Sequence, residues 1–100
     1  MAKAVYYVSF KLKKGSSITN FLQASEKLNN EFISKQPGYV SWQQLNDDKT
    51  WIDLITFETI DDLNNFKKVS SSPNALAKEF YAYINPLSCK VRTYLIEKEY

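Results

Sequence analysis

Residues 50–58, Thr-Trp-Ile-Asp-Leu-Ile-Thr-Phe-Glu, carry large apolar side chains on both sides of an extended backbone. Successive side chains of a strand point to opposite faces, so Ile52 and Leu54 oppose Trp51, Ile55 and Phe57. A strand of this kind cannot present either face to water cheaply. It predicts a sheet covered on both sides, and every other segment has to be placed around it.

Residues 4–12, Ala-Val-Tyr-Tyr-Val-Ser-Phe-Lys-Leu, form a second β-rich run, with β-branched and aromatic residues throughout. Tyr6, Val8, Phe10 and Leu12 share one face, yet Val5 and Tyr7 lie on the other. Gly15, Ser16 and Ser17 break the pattern. Residues 17–35 then take helical spacing, with Ile18, Phe21, Leu22, Ser25, Leu28 and Phe32 on one stripe. Ser16 or Ser17 serves as N-cap, and Gln36, Pro37 and Gly38 stop the helix. Residues 39–46 read as a strand joined to residues 50–58 by the polar turn Asn46, Asp47, Asp48 and Lys49, which makes a hairpin.

Thr59, Ile60, Asp61 and Asp62 then read as a helix start with acidic first-turn residues. A short helix carries Leu63, Phe66 and Val69. Ser70, Ser71, Ser72 and Pro73 interrupt it, and residues 75–84 resume helical spacing, with Leu76, Phe80, Tyr83 and Ile84 on one side. Asn85 and Pro86 end that helix. Residues 88–98 form a last strand, with Cys89, Val91, Thr93 and Leu95 on one face. The order is β-α-β-β-α-β with a broken second helix, the ferredoxin-like α+β arrangement of a four-stranded antiparallel sheet.

The 100 residues fit one domain, residues 1–100. Hydrophobic residues make up 44%, enough for a packed interior and against disorder. In a ferredoxin-like domain both helices cover the same sheet face. The other face is apolar here, and an apolar face of that extent marks an interface. A second copy of the chain is the expected cover, through Val5, Tyr7, Trp51, Ile55 and Phe57. A monomer with loops or the tail folded over the sheet is the alternative.

The residues present exclude several chemistries. The chain has no histidine and one cysteine, Cys89. Ser-His-Asp and Cys-His arrangements cannot form, no internal disulfide is possible, and a stable zinc site is not expected. Two glycines build neither a P-loop nor a dinucleotide fingerprint. Asp47 with Asp48 and Asp61 with Asp62 read as a turn and a helix start rather than metal ligands. Cys89 reads as a packed, inert thiol. No metal and no cofactor is expected. The net charge of +2, from 13 basic and 11 acidic residues spread along the chain, does not predict a nucleic-acid partner. The β-α-β-β-α-β order is shared with RNA-recognition modules, but residues 50–57 lack their glycine and carry Asp53, which repels phosphate. No apolar run is long enough to span a membrane and the first residues show no secretory pattern, so a soluble cytoplasmic protein is expected.

The aromatic residues are the most suggestive feature. Tyr6, Trp42, Phe66, Phe80 and Tyr83, with Asn65, are candidates for lining an apolar pocket with a few polar groups, a setting for a small flat aromatic ligand. Tyr7, Tyr39, Trp51 and Tyr81 belong to the same set. The alternative is that these rings only pack the core and the dimer interface. The sequence assigns no catalytic residue.

Residues 51–63, a β-strand followed by Thr59 and the acidic opening Asp61-Asp62-Leu63, resemble the antibiotic-biosynthesis-monooxygenase (ABM) family. The resemblance extends over about residues 4–98. It implies a dimeric α/β barrel, two sheets packed face to face, with a pocket in each subunit between sheet and helices. Some members oxidise aromatic or quinol-type compounds without metal or flavin, and others degrade haem. The haem-degrading branch has an Asn, a Trp and a His at positions that fall here at Val8, Phe66 and near Phe80. None matches, and haem degradation by that mechanism is not expected. The resemblance therefore implies a cofactor-independent monooxygenase acting on a small aromatic or quinol-type compound. A non-catalytic ligand-binding or structural dimer is the alternative.

Overall fold

The computed structural model describes residues 2–72 and 74–100. Met1 and Pro73, the latter in the expected helix break, lie outside the described residues. The elements are β1 (Ala4–Leu12), α1 (Ile18–Glu31) with a one-turn 3-10 helix (Ile33–Lys35), β2 (Tyr39–Asn46), β3 (Trp51–Phe57), α2 (Ile60–Ser70), α3 (Ala75–Tyr81) and β4 (Ile84–Leu95). The strands form one antiparallel sheet in the order β2-β3-β1-β4. That is the ferredoxin-like topology.

Local chemistry places the ends of these elements. Ser17 Oγ accepts from Asn20 N at 3.2 Å and starts α1. Thr59 Oγ1 accepts from Asp62 N at 3.1 Å and starts α2, where Asp61 and Asp62 meet the positive end of the helix. In the β2–β3 turn, Asp47 Oδ1 accepts from Lys49 N and Thr50 N, and Asp48 takes a positive φ of 75°. The two acidic pairs thus have structural jobs. Gly38, with φ 78°, ends the segment before β2. A Cβ there would collide with the Asp62 carboxylate, so only glycine lets the chain pass the start of α2.

The core lies between the sheet and the helices. Phe10, Phe21, Phe57 and Leu63 are fully buried. The Phe21 ring sits 5.2 Å from the Trp51 ring and 5.2 Å from the Phe80 ring, tying α1 to β3 and α3. Burying one such side chain contributes about 1.5–3 kcal/mol.

Register decides which face of β3 this core uses. Ala4 pairs with Phe57, Tyr6 with Ile55 and Phe10 with Trp51, so the odd residues of β3 join the even residues of β1 on the helix side. Trp51, Ile55 and Phe57 are 8%, 4% and 0% exposed. They belong to the core, which corrects their expected place on the bare face. Ile52 and Leu54 pair with Ser9 and Tyr7 and take that face with Val5. Leu45 and Tyr94 extend its apolar surface at 46% and 50% exposure, and the Tyr7 and Tyr94 rings meet edge to face at 5.8 Å.

β4 begins four residues earlier than its sequence pattern suggests. Ile84, expected in the helix, pairs with Leu12 in the sheet and is 2% exposed. Asn85 pairs with Lys11 and Lys90 with Ser9, so residues 86–89 face Phe10 alone and the strand bulges outward. Ser88 Oγ secures the bulge, accepting from Lys11 N at 2.8 Å and donating to Asn85 O at 2.6 Å. Leu87 stands at its tip, 95% exposed.

Candidate active site

The helix face of the sheet and the three helices do not close completely. A cavity of about 50 Å³ remains, with Tyr6, Trp42, Asp53 and Ile55 on the sheet side and Phe66, Phe80 and Tyr81 among the residues on the helix side. Residues on either side of the interruption between α2 and α3 border the cavity. Ser70, the last residue of α2, and Asn74, whose side chain accepts from Leu76 N at 2.8 Å to cap α3, both reach the cavity.

Of the pocket candidates named from the sequence, Tyr6, Trp42, Phe66 and Phe80 line this cavity. Their rings pack edge to face, Tyr6 on Phe66 at 5.8 Å and Trp42 on Phe80 at 5.6 Å. Asn65 does not belong with them. It is exposed on α2, one position from Phe66 and turned to solvent. Tyr83 is likewise not among the lining residues and packs on Phe21 at 6.1 Å.

The residue that sequence reasoning missed is Asp53. It is 4% exposed, in the middle of the most apolar strand, and it lines the cavity. Burial drives its pKa up to about 7, while the Trp42 indole and the Gln44 amide turned toward it pull it partly back. These neighbours do not complete its hydrogen bonding. Gln44 Nε2 donates to Ser25 Oγ at 3.1 Å, and Ser25 Oγ donates to Phe21 O at 2.9 Å. Trp42 Nε1 and Asp53 Oδ1 have no hydrogen-bond partner among the described residues. Two buried polar atoms without partners, one a donor and one an acceptor, are an unusual pair in a packed interior. The signal was in the sequence: an acid flanked by Trp51, Ile52, Leu54 and Ile55 has to be paired or functional when its face is buried.

Three further titratable groups feel this carboxylate. Burial raises the Tyr6 phenol, with smaller contributions from Cys89 and Asp53. Burial of its surroundings, then Tyr6 and Asp53, pushes the Tyr81 phenol up to about 12. Tyr81 lines the cavity and is 51% exposed, which puts it at the mouth. Burial, then Asp53, raises the Cys89 thiol, in keeping with a packed thiol rather than a nucleophile. All three are protonated at neutral pH, which leaves Asp53 as the group in this set that changes charge there. Such a carboxylate can accept a proton from a bound acid.

No family model matches the sequence, and no curated protein matches it. Solved structures do match over nearly the whole chain. SnoaB, a cofactor-independent oxygenase from Streptomyces nogalater, superposes with a TM-score of 0.74 at 14% identity, covering 97% of this chain and 95% of that one. A protein from Nitrosomonas europaea assigned to the antibiotic biosynthesis monooxygenases gives 0.68 at 16%, covering 95% and 90%. The hydroxynitrile lyase of Passiflora edulis gives 0.66 at 23%, covering 97% and 96%. These likenesses establish the ferredoxin-like fold. One oxygenase and one lyase on the same frame mean that the chemistry must be argued from the cavity.

Proposed function

We propose that this chain forms an ABM-like homodimer that oxygenates a small aromatic or quinol-type compound without a cofactor, at the cavity between sheet and helices. The observation that carries the reading is Asp53, a carboxylate 4% exposed, facing an aromatic-lined cavity with a pKa of about 7. A base poised near neutral pH removes a proton from a phenolic or activated C–H substrate, and the electron-rich anion then reacts with dioxygen. The balance needs no outside reductant. A phenol with a free ring position plus O₂ gives the quinone plus water, one oxygen atom going to carbon and the other to water. The likeness in fold to a cofactor-independent oxygenase supports the class of reaction.

The homodimer reading rests on the second sheet face. Val5, Tyr7, Ile52 and Leu54 lie there in mutual register, bordered by Leu45 and Tyr94. A two-fold pair covers such a face with the same residues on both subunits.

The test is oxygen uptake with a panel of small phenols and hydroquinones, for the native chain and for Asp53→Asn. Turnover that falls at least about a hundredfold in the variant supports the reading, since a general base is worth roughly 10²–10⁴ in rate. Turnover unchanged in the variant removes Asp53 from the mechanism. A second reading, a non-catalytic small-ligand-binding or structural dimer, is favoured by the cavity's size. Its volume of about 50 Å³ is smaller than the ~150 Å³ that holds benzene. No oxygen uptake with any member of the panel selects that reading, and saturable binding or its absence divides a ligand-binding dimer from a structural one.

A further inference from the structure

The unpaired atoms of the cavity specify the kind of group that enters it. Trp42 Nε1 can only donate a hydrogen bond, and an ionised Asp53 Oδ1 can only accept one. Both are buried, and neither has a partner among the described residues. Trp42 on β2 and Asp53 on β3 line the same small cavity. Leaving either atom unpaired in an apolar setting is unfavourable, and the penalty is larger for the carboxylate.

We infer that Trp42 Nε1 and Asp53 Oδ1 together form a receptor for one neutral hydroxyl group, the phenolic or enolic O–H of an aromatic ligand. The inference rests on the proposal that this cavity is the functional site, and it goes further by naming how the ligand is recognised. A hydroxyl oxygen accepts from the indole while its proton goes to the carboxylate, so one group satisfies both orphans. A carbonyl or an ether satisfies only Trp42. A carboxylate on the ligand satisfies only Trp42 and repels Asp53. No Lys or Arg stands among the described residues lining the cavity, so an anion would meet no counter-charge. The rings of Tyr6, Phe66 and Phe80 leave the rest of the wall apolar.

The volume of about 50 Å³ accommodates the hydroxyl end of such a ligand. The ring enters from the mouth, where Tyr81 is 51% exposed. The proton shared with Asp53 is then the one that the proposed oxygenation removes. Recognition and deprotonation therefore fall on one pair of side chains.

The experiment is an anaerobic calorimetric titration at pH 8 with two probes, phenol and anisole. They share a ring and its oxygen, and anisole carries a methyl group in place of the donated proton. Phenol is expected to bind at least about tenfold more tightly to the native chain, because anisole leaves a buried charged acceptor unpaired. In Asp53→Leu the preference is expected to shrink below about threefold, whereas Trp42→Phe is expected to weaken both probes and leave the preference in place. Equal affinity of the native chain for both probes overturns the inference, as does failure of phenol to bind at millimolar concentration. A preference that survives Asp53→Leu also overturns it, as does unchanged affinity for both probes in Trp42→Phe. The native comparison needs no variant, so it stands even if one fails to fold. Excluding oxygen separates this result from turnover. Selective phenol binding with no oxygen uptake sinks the oxygenase reading alone, and oxygen uptake without phenol selectivity sinks the receptor alone.

Discussion

Gln44 on β2 stands directly across the ladder from Asp53 on β3, and its amide is engaged by Ser25 of α1 rather than fully spent on the carboxylate. Helix, edge strand and central strand are therefore coupled at the one buried acid of the described core. That coupling holds Asp53 beside a neighbour that eases its ionisation without neutralising it.

Stability should fall as pH rises from about 4 to about 7. The Asp53 pKa is raised from 3.8 to about 7 in the folded chain, so the folded state holds a proton that the unfolded state has lost. Its contribution is fully present below about pH 4, declines between pH 4 and 7 and is flat above, on the order of 4 kcal/mol in total. The groups facing it are Tyr6 from β1, Tyr81 from α3 and Cys89 from β4, all with raised pKa values. Glu26 of α1 borders the adjoining groove with Trp42 and Gln44. Urea unfolding at pH 5 and pH 8 should show the native chain losing stability relative to Asp53→Asn at the higher pH. Parallel pH profiles would place the carboxylate in a more solvated setting than the structure gives it.

Phe21→Ala should cost about 3–5 kcal/mol. Phe21 touches rings on β1, β3 and α3 and next to β4, at 5.2 to 6.1 Å, so its removal opens a cavity that no single neighbour can refill. Thermal or urea denaturation measures it. A loss below about 1 kcal/mol would mean that the surrounding rings collapse into the space.

Gly38→Ala should destabilise by more than about 1 kcal/mol. The new methyl group meets the Asp62 carboxylate, and the backbone is held at φ 78°. Adding Asp62→Gly, which also removes the Asp62 Cβ that a methyl group at position 38 would meet at 2.6 Å, should recover the steric part and leave the backbone part, which a double-mutant comparison separates.

Leu54→Lys should convert the proposed dimer to a folded monomer. Leu54 sits at the centre of the bare face, paired with Tyr7 on β1 and Gln43 on β2. Native mass spectrometry reports the subunit count, and circular dichroism checks that the fold persists. A variant that remains dimeric moves the interface elsewhere.

Much of the architecture was legible in the sequence, because its signals were local. Ala4–Leu12 and Tyr39–Asn46 match their patterns residue for residue, and the caps at Ser17 and Thr59 are where their side chains predict. What the sequence did not disclose depends on pairing between distant segments. Both faces of residues 51–57 are apolar, so alternation alone cannot say which one meets the helices, and only the register with β1 settles it. The same register turns Asp53 inward, which is why an acid legible as a surface charge becomes the buried group of the site. Ile84 continues the helical spacing of Leu76 and Phe80, yet its pairing with Leu12 across the chain prevails. Asn65 was a candidate for its polar amide but lies on the exposed side of α2, one position from Phe66.

The bulge in β4 bears on how the chain keeps to itself. β4 is an outer strand of the sheet, and an unbroken outer strand is a template on which other chains aggregate. Four residues spent opposite Phe10 throw that template out of step, and Pro86 within them has no amide proton to offer. Straightening the segment by deletion would give growing or crowded chains a continuous ladder to add to, so the irregularity protects solubility at the margin of the sheet.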